Sequence, residues 1–205
     1  MKSFLLISIA TALIFWGNLQ ASTATAQTKP PVAPQSAQTD GSATQKYFSD
    51  VELLNQDGAK VRFYSDLLKG RTVVINAFFT TCTGVCPAMS ATLARIQKEL
   101  GDRVGKEVFF ISISVDPVTD TPERLKAYAE KFHAKPGWSF ITGKKENVDW
   151  ALYKLGQFVE NKNDHTSIMI IGNEATGLWK KAYALSPAAE LIKIIEGVAT
   201  DKGSQ

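Results

Sequence analysis

RTVVINAFFTTCTGVCPAMS, Arg71 to Ser90, passes through three kinds of sequence. Arg71–Phe79 is a near-continuous β-branched and aromatic run, the composition of a strand buried on both faces. Small and polar residues follow, and they carry Cys82 and Cys86, the only two cysteines of the chain. Pro87 suits the first turn of a helix, where its missing N–H would have no partner anyway. Met89, Leu93, Ile96 and Leu100 then recur at helical spacing, and Gly101 marks the end. The stretch predicts strand, loop and helix, with both thiols at the strand–helix junction.

Upstream, VELLNQDGAKVRFY (Val51–Tyr64) has apolar flanks around Asp57-Gly58, a β-hairpin signal. Downstream, VFFISISV (Val108–Val115) reads as a second buried strand, and Thr121-Pro122 opens a helix through TPERLKAYAEKF. WSFIT (Trp138–Thr142) reads as a short strand and KENVDWALYKLG as a helix. TSIMIIG (Thr166–Gly172) and LWKKAYA (Leu178–Ala184) flank a turn, and Ser186 is expected to cap a last helix that buries Leu191, Ile194, Ile195 and Val198. Strands alternating with helices predict an α/β fold with a parallel portion, right-handed crossovers and a late antiparallel pair. This order is the thioredoxin-like arrangement: a central mixed sheet flanked by helices, with an N-terminal β-hairpin and an inserted βα unit.

The chain has 205 residues, 44% hydrophobic and 21% charged, enough for one well-packed domain and some additional sequence. Its formal net charge is only +3, with lysines scattered and no basic stripe interleaved with aromatics, which argues against nucleic acid as a partner. Lys2 precedes the apolar run FLLISIATALIFW (Phe4–Trp16), and Ala24-Thr25-Ala26 offers a cleavage site. Residues 1–26 are therefore expected to be a secretory signal peptide or an uncleaved membrane anchor, with Asn18 and Gln20 favouring cleavage. No cysteine lies near this segment for lipid attachment. Either reading puts the domain outside the cytoplasm. Residues 27–46, rich in Pro, Ser, Thr and Gln, are expected to form a flexible tether, residues 47–200 the domain, and 201–205 a tail. A monomer is expected.

Two cysteines four positions apart admit three readings. A plain disulfide is the default outside the cytoplasm, but closing a loop of about five residues stabilises by only about 2 kcal/mol, against about 4.7 for a hundred-residue loop. A dithiol–disulfide redox pair fits the strand–helix junction, where unpaired N–H groups are expected to lower the Cys86 thiol pKa. A metal site needs a further donor, and the chain has two histidines. His133 ends a helix, where a solvated cation is the ordinary reading. His165, in NDHTSIMII, stands just before a strand entering the sheet and is the one able to face both cysteines. Two thiolates and an imidazole form a soft three-coordinate set suited to Cu(I) and tolerable for Cu(II); structural zinc would normally take four protein ligands. Met89 reads as core rather than as a thioether donor. Asp164 either orients the imidazole or is simply solvated, and Asp116 forms a turn with Pro117.

TTCTGVCP, FISISVDPVTDTPERLKAYAEKF and DHTSIMIIG together resemble the Sco/SenC family of copper-binding, thioredoxin-like assembly factors for cytochrome c oxidase, from about Tyr47 to Val198. The resemblance implies Cys82, Cys86 and His165 as ligands of one copper ion. It implies a domain facing the periplasm and acting on the oxidase subunit that carries the Cu(A) centre, either delivering copper or keeping that centre's cysteines reduced. Many members have Pro and then an acidic residue after the first cysteine; Thr83 and Gly84 stand there instead, which removes a rigid, charged loop while the donor set is retained. The alternative function is an extracytoplasmic thiol–disulfide oxidoreductase using Cys82 and Cys86, with the more exposed thiol as nucleophile. A peroxidase is weaker, because no arginine can be placed beside the thiolate.

Overall fold

A computed structural model describes Pro31 and residues 43–203. The expected leader and most of the expected tether, up to residue 42, lie outside the described residues, and so does the end of the expected tail, residues 204–205. Helix α1 (Ala43–Phe48) spans the end of the expected tether, residues 43–46, and the first two residues of the expected domain. No helix among the described residues is long and apolar enough to cross a membrane.

The Asp57-Gly58 turn joins β1 (Glu52–Asn55) to β2 (Lys60–Arg62) in the expected hairpin, with Glu52 opposite Arg62. Gly58 has φ 75°, a conformation that favours glycine, and the Asn55 side chain accepts the N–H groups of Asp57 and Ala59. A turn of π-helix (Phe63–Leu68) leads to β3 (Thr72–Phe78), in which every residue is buried. Then come α2 (Val85–Leu100), β4 (Val108–Ser114), α3 (Pro122–Lys131), β5 (Trp138–Thr142), α4 (Lys145–Lys154), β6 (Ile168–Asn173), β7 (Leu178–Tyr183) and α5 (Ala188–Ala199).

The seven strands form one sheet in the order β2-β1-β5-β4-β3-β6-β7. β3, β4 and β5 run parallel; β1 and β6 pair antiparallel to this portion, and β7 antiparallel to β6. The fold is the expected thioredoxin-like α/β arrangement. β3 alternates between the two layers. Val74 and Phe78 face a cluster built with Met89, Leu93 and Ile96 of α2, Leu125 and Tyr128 of α3, and Leu191 and Ile195 of α5. Val73, Ile75 and Ala77 face a second cluster with Phe63, Leu68, Val148 and Leu152. Two buried faces explain why β3 reads as an unbroken apolar run rather than an alternation.

The buried polar side chain of Asn76, within β3, is satisfied across the sheet. Ser112 Oγ donates to Asn76 Oδ1 at 2.7 Å, and Trp138 Nε1 donates to Ser112 Oγ at 3.0 Å. Helix boundaries follow local signals. Thr121 Oγ1 accepts the Arg124 N–H at the start of α3, and Gly101, φ 55°, ends α2. One expectation is corrected. Ser186 does not cap α5; the cap position is Pro187, which has no side chain able to accept, and the Ser186 N–H bonds back to the Tyr183 carbonyl at 3.0 Å. The turn leaving β7 takes up Ser186 one residue too early.

Candidate metal centre

Strand pairing brings the three candidate donors together. In the β3–β6 ladder Thr72 lies opposite Asn173 and Asn76 opposite Met169. Continuing that register beyond the end of β3 sets His165 alongside Thr80, two residues before Cys82. The cysteine loop leaves the C-terminal end of β3 while the histidine segment enters the N-terminal end of β6, so antiparallel pairing makes them neighbours. Cys86 lies in the first turn of α2, whose cap position is Gly84, and Cys82 in the loop before it. Cys82 Sγ, Cys86 Sγ and a His165 ring nitrogen all lie within 4.8 Å of one another. Cys86 Sγ and His165 Nε2 are 3.1 Å apart.

The other imidazole nitrogen settles the proton. His165 Nδ1 lies 2.8 Å from the Lys162 carbonyl oxygen, which can only accept, so Nδ1 carries the hydrogen and the Nε2 lone pair faces the cysteines. The Cys86 thiol donates to that lone pair. Edge-to-face packing of Phe79 on the ring, with centroids 5.4 Å apart, helps hold this orientation.

No disulfide joins the two cysteines in this structure; Cys86 is fully buried and Cys82 partly exposed. Burial pushes the Cys86 thiol up to about 12, and the hydrogen-bonded Cys82 thiol beside it adds to the effect. The lowered pKa expected from the helix N-terminus is thus reversed in the metal-free protein: loss of solvation outweighs the dipole. Cys82 and His165, with Thr83, Gly84, Val85 and Asn163, line a small pocket of about 240 Å³, so the site opens to solvent on the Cys82 side. A larger groove of about 530 Å³, bordered by Tyr47, Phe48 and Trp179, contains none of the three.

The loops carrying the donors are tied to one segment, the β4–α3 connection. Asp120 is completely buried. Its carboxyl oxygens accept the Thr80 N–H at 3.1 Å, the Thr80 hydroxyl and the Ser114 hydroxyl, anchoring the start of the cysteine loop. Asp116 reaches the other side: its Oδ2 lies 2.6 Å from Lys162 Nζ, three residues before His165. Burial opposes ionisation of Asp116, but the Lys162 hydrogen bond and charge prevail and hold its carboxyl below the usual range. Asp116 was expected only to shape a turn, and Asp120 and Lys162 had no assigned part. In sequence Asp120 looks like an ordinary polar residue before a Thr-Pro helix start, and nothing periodic marks it as buried.

The remaining candidates fall outside the constellation. Met89 is fully buried among Leu93 and Ile96, as expected for core. His133 is exposed beyond the end of α3 with φ 52°. Asp164 is exposed, and the Nδ1 proton goes to the Lys162 carbonyl instead.

The family model SCO1/SenC matches residues 38–200. A SCO1 protein homolog from Bacillus subtilis (strain 168) is 31% identical over 147 residues, which make up 70% of this chain and 70% of that protein. The crystal structure of a SCO1/SenC family lipoprotein from Bacillus anthracis str. Ames is similar with a TM-score of 0.61 at 30% identity, covering 72% of this chain and 92% of that one. BsSco, a member of the Sco family of cytochrome c oxidase assembly proteins, is similar with a TM-score of 0.62 at 27% identity, over 76% and 94% of the two chains.

Proposed function

The chain belongs to the SCO1/SenC family, and from that premise we propose that it binds one copper ion through Cys82, Cys86 and His165 and delivers it to, or matures, the Cu(A) centre of a cytochrome c oxidase. The observation that carries this reading is the convergence of two sulfurs and one correctly presented Nε2 lone pair within 4.8 Å. Donors about 2.0–2.3 Å from a shared first-row ion stand roughly 3.5–4 Å apart, so the set is near the geometry that a bound ion requires. Thiolate softness favours Cu(I) over the harder divalent ions. Binding replaces the Cys86 thiol proton by the metal, which removes the burial penalty on a bare thiolate.

Delivery needs a way in for the acceptor's ligand. Cys82 stands at the solvent side and Cys86 behind it. An incoming thiolate joins the ion from the pocket, Cys82 leaves first, and the buried Cys86 releases last. The apolar run Phe4–Trp16, read as a leader, supports a domain outside the cytoplasm and facing the periplasm, with residues 27–46 as spacer.

The same exposure difference supports the second reading, a thiol–disulfide oxidoreductase. Cys82 thiolate attacks a partner disulfide and forms a mixed disulfide; Cys86 then displaces the partner, which leaves reduced as Cys82–Cys86 becomes oxidised, and an external dithiol must restore the pair.

Cu(I) titration of the reduced chain against a competing chelator separates the two. The wild type is expected to bind one ion, His165→Ala to bind it more than about 100-fold more weakly, since even outer-shell changes around a metal cost 10–100-fold, and Cys82→Ser/Cys86→Ser to bind none. His165→Ala should still reduce a model disulfide at close to the wild-type rate. Unchanged copper affinity in His165→Ala would transfer the assignment to the oxidoreductase.

A further inference from the structure

Lys162 has two ends in the site. Its carbonyl takes the His165 Nδ1 proton at 2.8 Å, while its ammonium group is held by Asp116 Oδ2 at 2.6 Å on a different loop. The ammonium also lies over the Phe79 ring, 5.1 Å from its centroid, and the same ring packs edge-to-face with the imidazole. Asp116, Lys162, Phe79 and His165 therefore close a ring of contacts behind the donor nitrogen. Asp116 is itself fixed: its N–H donates to Ser114 Oγ at 2.9 Å, and that hydroxyl donates to buried Asp120.

We propose that Asp116 and Lys162 are positioning residues for His165: their ion pair fixes the backbone carbonyl that sets the imidazole's tautomer and aims Nε2 at the two cysteines. Neither side chain touches the ion. The segment they restrain needs such a restraint. Lys162–Asp164 is a short 3-10 turn, and at its start Asn161 Oδ1 accepts the Asn163 N–H. Its carbonyls are free to rotate away when the turn opens. With Lys162 released, the Nδ1 acceptor is lost, and a neutral imidazole in water distributes its proton over both nitrogens. A proton on Nε2 cannot coexist with a metal bond there.

The pair differs from an ordinary surface ion pair in position. The Asp116 side chain is 14% exposed and that of Lys162 37%, whereas in the Lys126–Asp57 pair both exceed half. Partial burial weakens screening, so holding Lys162 in one geometry stabilises the turn more than an exposed pair would.

The inference deepens the copper reading and rests on it for its purpose, although the clamp itself is testable without metal. In the reduced, metal-free full chain with ¹⁵N-labelled histidine, NMR should show His165 as the Nδ1–H tautomer. Asp116→Asn and Lys162→Met should convert it to a mixture and raise amide hydrogen exchange about tenfold over residues 161–167, by loss of a restraining contact. Lys162→Arg should preserve the wild-type pattern, because a guanidinium reaches the same carboxylate and the carbonyl is unchanged. Lys126→Met, which removes one charge far from the site, should also leave it unchanged. Copper affinity should fall about tenfold in Asp116→Asn, at the low end for outer-shell partners, with Cys82 alkylation unaltered.

An unmoved tautomer in both Asp116→Asn and Lys162→Met would overturn the clamp. So would exchange that rises throughout the domain, which would mark general loss of structure. A wild-type chain that binds no copper would defeat the copper reading alone, and the tautomer measurement would still decide the clamp.

Discussion

His165 Nε2 lies 3.1 Å from Cys86 Sγ although 79 positions separate them in the chain. The contact comes from one topological fact, the antiparallel pairing of β6 with β3. It places a basic lone pair against a buried thiol and leaves the second thiol open to solvent. Several measurable properties of the metal-free protein follow from that division.

The two thiols should react very differently. Cys86 is buried and its thiol is pushed up to about 12, while Cys82 is partly exposed. Iodoacetamide at about pH 8, where an unperturbed thiol is partly ionised, should modify Cys82 and spare Cys86 in the folded, reduced chain. Peptide mapping by mass spectrometry reads the ratio, and equal labelling would refute the burial argument.

Alkaline pH should destabilise the reduced protein, with a definite sign. The folded state holds Cys86 above its ordinary value of 9.0, so its contribution is intact below about pH 9 and is lost as pH rises towards about 12. Tyr128, also raised by burial, contributes in the same direction from about pH 10 upward. Urea midpoints should therefore decline between about pH 9 and 11. Cys86→Ala should flatten the earlier part of the decline; a decline identical to wild type would exclude Cys86 as its source.

Asp120 should matter for stability more than its place in an ordinary-looking loop suggests. It satisfies three donors from Thr80 and Ser114. Asp120→Ala leaves these donors without their partner and should lower stability by about 3 kcal/mol or more, with Asp120→Asn intermediate because an amide retains one accepting oxygen. Denaturant unfolding gives the values, and hydrogen exchange should quicken first at Thr80–Cys82. A loss below about 1 kcal/mol for Asp120→Ala would mean that water replaces the carboxyl group easily.

Gly172 is paired with Trp179 across β6 and β7, and a Cβ added there would collide with the indole ring. Gly172→Ala should destabilise by about 1–3 kcal/mol through overpacking and shift the tryptophan emission. A neutral effect would show that Trp179 can swing towards Phe48, the ring now 5.5 Å away from it.

Met89→Leu tests the exclusion of the thioether. Met89 is fully buried within the apolar cluster, so a near-isosteric change should alter stability by less than about 1.5 kcal/mol. Copper stoichiometry and affinity should match wild type; a weakened site would bring Met89 back among the donors.

Much of this molecule is written locally. β3 is legible as an unbroken apolar run because both of its faces are covered, and α2 is legible from Pro87 through Gly101 because helix periodicity and terminal residues act over a few positions. The Asp57-Gly58 hairpin and the Thr121 cap belong to the same class. Ser186 shows the limit even there: a capping residue was present, but the chain's exit from β7 decided which residue stood at the cap position. Cys82, Cys86 and His165 could be selected from sequence because thiols and imidazoles are scarce in this chain and their chemistry is distinctive.

What tertiary structure alone decided is the environment of those groups. The helix N-terminus argued for an acidic Cys86 thiol, and burial, a sum over side chains from α2, α3, α5 and β3, reversed the sign. Asp116, Asp120 and Lys162 look like solvated loop residues until three loops meet. Local sequence determines which elements form, since backbone torsions and caps respond to near neighbours; solvation and the partners of polar groups depend on residues far apart in the chain, and only the folded sheet sets those distances.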